Sequence, residues 1–244
     1  MERSLFELPL DPFPAPANIL PGIIGARFDI SKLLLTRSRT TPIPMPSTDS
    51  THFIDLLRHG EPAGGDRFRG ALDDPLSETG WQQMRTTVDG VAPWDLIITS
   101  PLKRCADFAS ELAERHGLAL EVEPELREIA FGQWEGVSYQ DMQEKNHQAF
   151  WEFFQDPVNN TPPGAEPLLA CQRRVHAAWD GLIARHHGKH LLVVAHGAVI
   201  RIICSRILET PPEAMFRLEV PYASLTRVRC LPEGERIVFH GKTA

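Results

Sequence analysis

The chain alternates short apolar runs with longer stretches whose apolar residues recur at helical spacing. The clearest apolar runs lie at residues 53–57, 95–99 and 191–195, and each ends abruptly at polar or glycine residues. Apolar runs of this length are typical of strands that are covered on both faces. Because helical stretches separate them, the pattern predicts an α/β fold, a three-layer α/β/α sandwich around a mostly parallel sheet.

Capping residues set the expected limits of the other elements. Ser100 can cap a helix, and Pro101 can take its first helical position. Residues 126–136 are expected to form a loop. The predicted helices are, in chain order, one from Ser77 to about Asp89, one from Pro101 to His116 and Gly117, one opened by a capping box at residues 138–141, a long one ending near Gly188, and one over 198–208. Two further strands are predicted over 225–230 and 236–240, joined by a turn at Pro232, Glu233 and Gly234.

Residues 1–50 differ in composition from the rest of the chain. Prolines cluster at both ends of this stretch, and each lacks an amide donor and has a fixed φ. We therefore expect a flexible, proline-rich N-terminal tail, followed by one domain over residues 51–244. Met45 is an alternative translation start to Met1, and N-terminal sequencing of the native protein would distinguish the two.

The composition argues against several classes of function. The 244 residues carry a net charge of -7, from 32 acidic and 25 basic side chains, so a general nucleic-acid surface is not expected. No apolar run is long enough to span a bilayer, and the four cysteines are scattered without a Cys-x-x-Cys pair. These features predict a cytoplasmic protein with reduced thiols, and neither nucleic acid nor membrane as a partner.

Residues able to bind and transfer phosphate follow three of the predicted strands. They are Arg58, His59 and Gly60 after the first, Arg104 beyond the second, and His196 after the third. Because the carboxyl ends of parallel strands meet at one edge of a sheet, these side chains can converge. Guanidinium groups match phosphate oxygens, and imidazole can act as a nucleophile near neutral pH. Either histidine alone would be explained more simply as a buried imidazole bonded to a carbonyl. The two histidines and two arginines together favour a phosphoryl-transfer site.

A leaving alkoxide needs a proton, and Glu128 is the best candidate to donate it. This glutamate lies in the 126–136 loop near apolar groups, which favour a protonated carboxyl. Glu61, Asp73 and Asp74 are alternatives, although turn and capping roles account for the two aspartates more simply.

The motifs from Thr51 to about Arg229 together resemble the histidine phosphatase superfamily, in its phosphoglycerate mutase-like branch and most closely its α-ribazole phosphatase-type members. The resemblance rests on Arg58-His59-Gly60-Glu61-Pro62, Asp74-Pro75-Leu76-Ser77, Gly80-Trp81, Gln83-Met84, Pro163-Gly164-Ala165-Glu166 and Arg174-Val175. It implies that His59 becomes phosphorylated and that Arg58, Arg104 and His196 bind the phosphoryl group. It implies that Glu128 acts as acid and then as base, and that Arg69 and Glu166 help to line the substrate end. No metal and no other cofactor is implied.

By this resemblance the chain is expected to hydrolyse a small phosphate monoester. α-Ribazole 5′-phosphate is the suggested substrate, which implies a role in cobalamin biosynthesis. A mutase is one alternative, but Gly64 and Gly65 stand where mutase-like members usually carry an asparagine, and the long mutase insertion is missing. A phosphate-binding protein without chemistry is the other alternative. The sequence does not fix the assembly, and a homodimer stays open.

Two further motifs favour ordinary structural roles. His186, His187 and His190 cluster at a predicted helix end, where histidines more often face the helix dipole than bind a metal ion. Cys230 and Arg236 have the Cys-x₅-Arg spacing of cysteine phosphatases. The acidic, proline-containing loop between them would repel phosphate and lacks one backbone donor, so a thiol nucleophile is disfavoured.

Overall fold

Strands and helices alternate along the domain. The computed structural model describes residues 51–90 and 93–243, and the expected tail at residues 1–50 lies outside them. The strands are His52–Arg58 (β1), Leu96–Thr99 (β2), Ala119–Val122 (β3), Leu191–Ala195 (β4), Leu225–Leu231 (β5) and Gly234–Lys242 (β6). The α-helices are Glu78–Val88 (α1), Lys103–His116 (α2), Tyr139–Lys145 (α3), His147–Gln155 (α4), Leu168–Arg185 (α5) and Gly197–Ile207 (α6). Short 3₁₀ turns cover Pro124–Leu126, Gly132–Trp134 and Pro212–Arg217.

A single sheet in the order β3-β2-β4-β1-β5-β6 organises these elements. The first four strands in the chain run parallel, whereas β5 is antiparallel to β1 and β6 is antiparallel to β5. Every residue of β2 and β4 is buried, as their apolar runs predict. Because β2, β4 and β1 are neighbours, the residues that follow these three strands lie side by side.

Helices cover both faces of the sheet. On one face, Met84 of α1 and Phe108 of α2 join a buried cluster with Ile97 of β2. On the other face, Trp179 of α5 packs in a second cluster with Val193 of β4, and α6 contributes to the same cluster. The α/β/α sandwich predicted from the alternation of strands and helices is therefore confirmed.

An aromatic cluster lies beside this sandwich. Its buried members come from α3, α4 and the loops before them: Phe68, Trp134, Met142, Phe150 and Phe153. None of the helices in the described part of the chain is long and apolar enough to cross a membrane.

Some boundaries differ from those predicted. Helix α2 begins at Lys103 and not at Pro101, because Asp73 Oδ1 accepts the Lys103 N–H at 2.7 Å and caps the helix from another loop. Ser100 is therefore not the N-cap. Strand β3 lies at an edge of the sheet and is mostly exposed, so it has no apolar run to reveal it. The helix after the capping box divides at Asn146 into α3 and α4, and the 126–136 loop contains 3₁₀ turns.

Candidate active site

The residues after β1, β2 and β4 meet at the carboxyl edge of the sheet. The His59 N–H donates to Ala195 O at 3.0 Å, and the Ser100 N–H donates to Val194 O at 3.0 Å. The rings of His59 and His196 lie 5.2 Å apart between centroids, at an interplanar angle of 62°. The convergence expected from the sequence is therefore present, with the two histidines side by side.

His59 is held as a neutral imidazole. Its Nδ1–H donates to the Gly60 carbonyl at 2.7 Å, which leaves the lone pair on Nε2. The side chain is buried, with 5% of its surface exposed. Burial and the positive charges of Arg58 and Arg104 hold the pKa of His59 well below its usual 6.5. The ring is therefore unprotonated near neutral pH, as a nitrogen nucleophile requires.

Glycines let the loop after His59 touch helix α1. A Cβ at Gly60 would lie 2.2 Å from the carbonyl oxygen of Gly80, and a Cβ at Gly80 would lie 2.1 Å from the carbonyl oxygen of Glu61. Both contacts are with backbone, so neither position accommodates a larger residue. This close approach fixes the turn that carries His59.

Two guanidinium groups flank the histidines. Arg104 is completely buried and donates to the carbonyl oxygens of Gly70 and Leu72 at 3.1 and 2.9 Å. The guanidinium of Arg58 lies 4.1 Å from the ring centroid of Tyr222. In both arginines Nε is buried and has no hydrogen-bond partner in the described part of the chain. Buried donors are normally paired, so these two N–H groups indicate a place for an anion.

His196 is completely buried, and its Nε2 shares a hydrogen bond of 2.7 Å with Ser100 Oγ. Cys105 Sγ lies 3.6 Å from the same nitrogen. Burial, with the positive charge of Arg104, lowers the pKa of His196 well below 6.5. The positive charge of the site therefore resides on the guanidinium groups and not on the imidazoles.

Glu128 reaches the same edge of the sheet from the loop after β3. Its carboxylate accepts the N–H of Ile129 at 3.1 Å and the N–H of Ala198 at 3.3 Å, and Ala198 lies in the first turn of α6. Because α6 begins directly after His196, this contact places the half-buried glutamate close to the backbone that follows His196.

The other carboxylates considered as the acid have protein partners. Glu61 Oε1 accepts the Ser77 hydroxyl at 2.8 Å. Asp73 caps α2, and Asp74 pairs with two arginines of its own loop at 2.7 and 2.8 Å. Asp73 therefore has the capping role expected of it, whereas Asp74 forms ion pairs in place of the expected turn or cap bond. Glu128 is left as the strongest candidate of the four.

Arg69 and Glu166, which the resemblance places at the substrate end, are both bonded to protein groups. The guanidinium of Arg69 donates to Asp74 Oδ2 at 2.7 Å and to the carbonyl oxygen of Ala63 at 2.8 Å. The carboxylate of Glu166 accepts two hydrogen bonds from Arg174, at 2.7 and 2.8 Å. A substrate-lining role for either residue stays a prediction.

Arg201 is a third arginine at this edge, and sequence reasoning missed it. A Cβ on Gly197 would lie 3.0 Å from Arg201 Nη1 and 3.5 Å from the Arg58 guanidinium, so both groups occupy the space that the glycine leaves. Burial and the charge of Arg58 lower the pKa of Arg201 to about 10. The signal that could have found it is its position one helical turn into α6 after His196.

Sequence reasoning also missed the two tyrosines of the site. Tyr222 stacks on Arg58, and its ring centroid lies 5.7 Å from that of His59. Burial and the neighbouring Tyr222 raise the pKa of Tyr139, which starts α3. Both lie far in sequence from the strand ends that carry the motifs, so no local pattern marks them.

The clustered histidines have protein partners. His186 lies 3.1 Å from Glu121, and His190 lies 3.1 Å from Asp55. Within residues 51–90 and 93–243, no group of ligating side chains could hold a metal ion.

The cysteine motif is part of a hairpin. Cys230 pairs with Glu235 between β5 and β6, and the turn between the strands lies where Pro232 predicts it. Burial raises the pKa of the Cys230 thiol to about 12, so the thiol is protonated and a poor nucleophile. All four cysteines are buried and unpaired.

The fold, with its paired histidines and arginines, indicates a phosphoryl-transfer class of protein, and comparison with known families gives the same class. The model of the histidine phosphatase superfamily (branch 1) matches residues 54–243. The chain therefore belongs to the histidine phosphatase superfamily, and the resemblance inferred from its motifs is confirmed.

Curated relatives carry several names. The bifunctional protein Rv2228c of Mycobacterium tuberculosis is 29% identical over 218 residues, which cover 86% of this chain and 59% of the relative. The adenosylcobalamin/α-ribazole phosphatase of Escherichia coli is 28% identical over 68% of this chain and 83% of its own. The probable phosphoglycerate mutase GpmB of Yersinia pestis is 32% identical over 72% of this chain and 83% of its own. The match thus spans only 59% of the length of Rv2228c.

Solved structures show the same fold. The mycobacterial glucosyl-3-phosphoglycerate phosphatase Rv2419c superposes with a TM-score of 0.70 at 26% identity, over 78% of this chain and 99% of that one. The fold is therefore that of the phosphoglycerate mutase-like histidine phosphatases.

Proposed function

We propose that this protein is a phosphomonoesterase that hydrolyses a small phosphate monoester through a phosphohistidine at His59. The observation that carries the proposal is the neutral His59 imidazole close to the guanidinium groups of Arg58 and Arg104, whose buried Nε–H groups have no partner within residues 51–90 and 93–243. A neutral nucleophile next to two fixed cations suits an anionic substrate, because phosphoryl transfer depends mainly on positioning and charge stabilisation.

In the proposed reaction, Nε2 of His59 donates its lone pair to phosphorus while the bond from phosphorus to the ester oxygen breaks. Glu128 gives its proton to the departing alkoxide. Water then attacks the phosphohistidine, Glu128 takes one proton from that water, and the phosphorus–nitrogen bond breaks to release phosphate and neutral His59. Arg58, Arg104 and His196 hold the phosphoryl oxygens during both steps.

The proposed substrate is α-ribazole 5′-phosphate, which would place the protein in cobalamin biosynthesis. The motif resemblance and the E. coli relative named for that phosphatase activity support this choice. The structural neighbour named for glucosyl-3-phosphoglycerate supports a second small phosphate ester. A cytoplasmic location, the assembly state and the division of the chain at residue 50 stay predictions from sequence.

The test is phosphate release from a panel of monoesters that includes both of these compounds, with a chelator present. Turnover in the wild type that disappears in His59→Ala, with circular dichroism unchanged, is the expected result. Full activity in His59→Ala would contradict the phosphohistidine. Selective turnover of α-ribazole 5′-phosphate would support the specific substrate, and uniform turnover of the panel would contradict it.

A mutase is the second candidate function, because the 32%-identical GpmB relative is named a probable phosphoglycerate mutase. The two activities differ in what accepts the phosphoryl group from His59, water or a second hydroxyl. Incubation with 3-phosphoglycerate separates them, since a mutase forms 2-phosphoglycerate whereas a phosphatase releases inorganic phosphate. Binding of many phosphate esters without turnover of any would instead favour the non-catalytic alternative.

A further inference from the structure

Arg174 of α5 holds the loop that carries Glu128. Its Nη1 donates to the carbonyl oxygens of Glu125 and Arg127, the latter at 2.8 Å, and its Nη2 donates to the carbonyl oxygen of Glu128 at 3.2 Å. One guanidinium therefore bonds three backbone carbonyls within four residues. Arginine has enough donors in a fixed plane to bond several acceptors at once, which the single ammonium of lysine cannot reproduce.

Glu166 fixes the orientation of that guanidinium. Both carboxylate oxygens accept from Arg174, at 2.7 and 2.8 Å, and both side chains are largely buried. Although burial opposes ionisation, the Arg174 hydrogen bonds hold the pKa of Glu166 below its usual value. The Glu166 N–H also donates to Ala130 O at 2.9 Å, so the pair holds the loop on both sides of Glu128.

The packing of α5 does not need Arg174. Val175, Trp179 and Leu182 of this helix are completely buried in the main apolar core. In the described part of the chain, the Arg174 guanidinium donates instead to the Glu128 loop, to Glu166 and to Cys171 on its own helix. The Arg174–Glu166 pair therefore determines the position of the Glu128 loop.

We infer that Arg174 and Glu166 are positioning residues that set the carboxyl group of Glu128 at the distance needed for proton transfer. The inference rests on the proposed function, in which Glu128 is the acid and then the base. In this role Glu166 holds Arg174 and does not line the substrate. Their ion pair gives a physical reason for the presence of both motifs, the one with Glu166 and the one with Arg174.

The experiment compares the release of p-nitrophenol and of an alkyl alcohol from their phosphate esters by rapid-quench kinetics. p-Nitrophenolate can leave without receiving a proton, whereas an alkoxide needs a proton as it leaves. In Arg174→Gln we expect kcat for the alkyl ester to fall about 10- to 100-fold with KM unchanged, because small displacements of a catalytic group have effects of this size. With the aryl ester, phosphorylation continues while hydrolysis slows, so a burst of p-nitrophenol appears, as in Glu128→Gln.

Matched variants separate this role from a loss of folding. Arg185→Gln removes an exposed arginine from the same helix and should leave kcat unchanged. Arg185 donates to the Glu123 carboxylate and, among the described residues, to no backbone carbonyl of the Glu128 loop. If Arg174→Gln does not fold, Glu166→Gln gives the same test with a smaller change. A burst in Glu128→Gln without one in either Arg174→Gln or Glu166→Gln would overturn the inference and leave the proposed function intact. Absence of phosphohistidine in the wild type would instead overturn the proposed function.

Discussion

Two buried charged clusters include residues of β1, and they are built in opposite ways. In the middle of the strand, Asp55 is completely buried and fully paired. Its oxygens accept from Arg227 at 2.7 and 2.9 Å, from Trp94 Nε1 at 2.8 Å and from His190 Nε2 at 3.1 Å. Although burial alone would raise it, these partners hold the pKa of Asp55 below its usual 3.8.

Where this strand ends, Arg58 of β1 and Arg104 of α2 pair with no carboxylate in the described part of the chain; their guanidinium groups donate to backbone carbonyl oxygens. Each of these two arginines keeps a buried Nε–H without a partner among the described residues. The pKa of His59 is lowered by burial and by charges of the same sign. The Asp55 cluster therefore has its counter-charge within the protein, whereas in the proposed function the anion of the substrate supplies the counter-charge of the cationic cluster.

The largest effect is expected from Asp55→Asn. The substitution leaves Arg227 without its carboxylate, and we expect the free energy of unfolding to fall by about 3 kcal/mol, the lower end for a broken buried pair because Arg227 is partly exposed. Urea denaturation measures it. The kcat of the folded protein should be unchanged.

Asp180→Asn is the matched control for that substitution, because Asp180 pairs with Arg206 on the surface, where an ion pair contributes less than about 1 kcal/mol. Equal destabilisation by the two aspartate substitutions would show that the Asp55 cluster is not the stabilising one.

An intermediate effect is expected from inorganic phosphate. An anion that fills the cationic cluster binds the folded chain alone, so the free energy of unfolding should rise by about 2.7 kcal/mol at 100 times the dissociation constant. Thermal unfolding with and without phosphate measures this rise. Arg104→Gln should abolish it, and Asp180→Asn should retain it. A rise of equal size in Arg104→Gln would place the bound anion elsewhere.

The smallest effect is on the pH dependence of the free energy of unfolding, to which the two clusters contribute in different pH ranges. A buried histidine whose pKa is below 6.5 binds its proton more weakly than the unfolded chain does, so stability falls as the pH drops below about 6.5, by about 1.4 kcal/mol per pH unit and histidine. The contribution of Asp55 is present above pH 3.8 and is lost only below that value. Urea denaturation from roughly pH 7.5 to 5.5 should therefore give a shallower slope for His59→Ala than for the wild type. Identical slopes would mean that His59 titrates normally.

Much of the site follows from strand ends that the sequence already marks. Arg58, His59 and His196 each adjoin an apolar run, and parallel strands bring their carboxyl ends to one edge. Arg201 and Tyr222 have no such mark, because their positions depend on the direction of α6 and on the loop before β5. Asp73 illustrates the same limit, since it caps a helix that begins thirty residues further along the chain.

The sequence by itself determined the class of fold and the superfamily and predicted the nucleophile, because each depends on local patterns: apolar runs, turn glycines and the residues directly after a strand. Only the tertiary structure decided which charges are paired. Asp55 with Arg227, and Glu166 with Arg174 beneath Glu128, are contacts between separate elements. Such contacts depend on the packing of the whole chain, and they distinguish the charges that stabilise this protein from those available to a substrate.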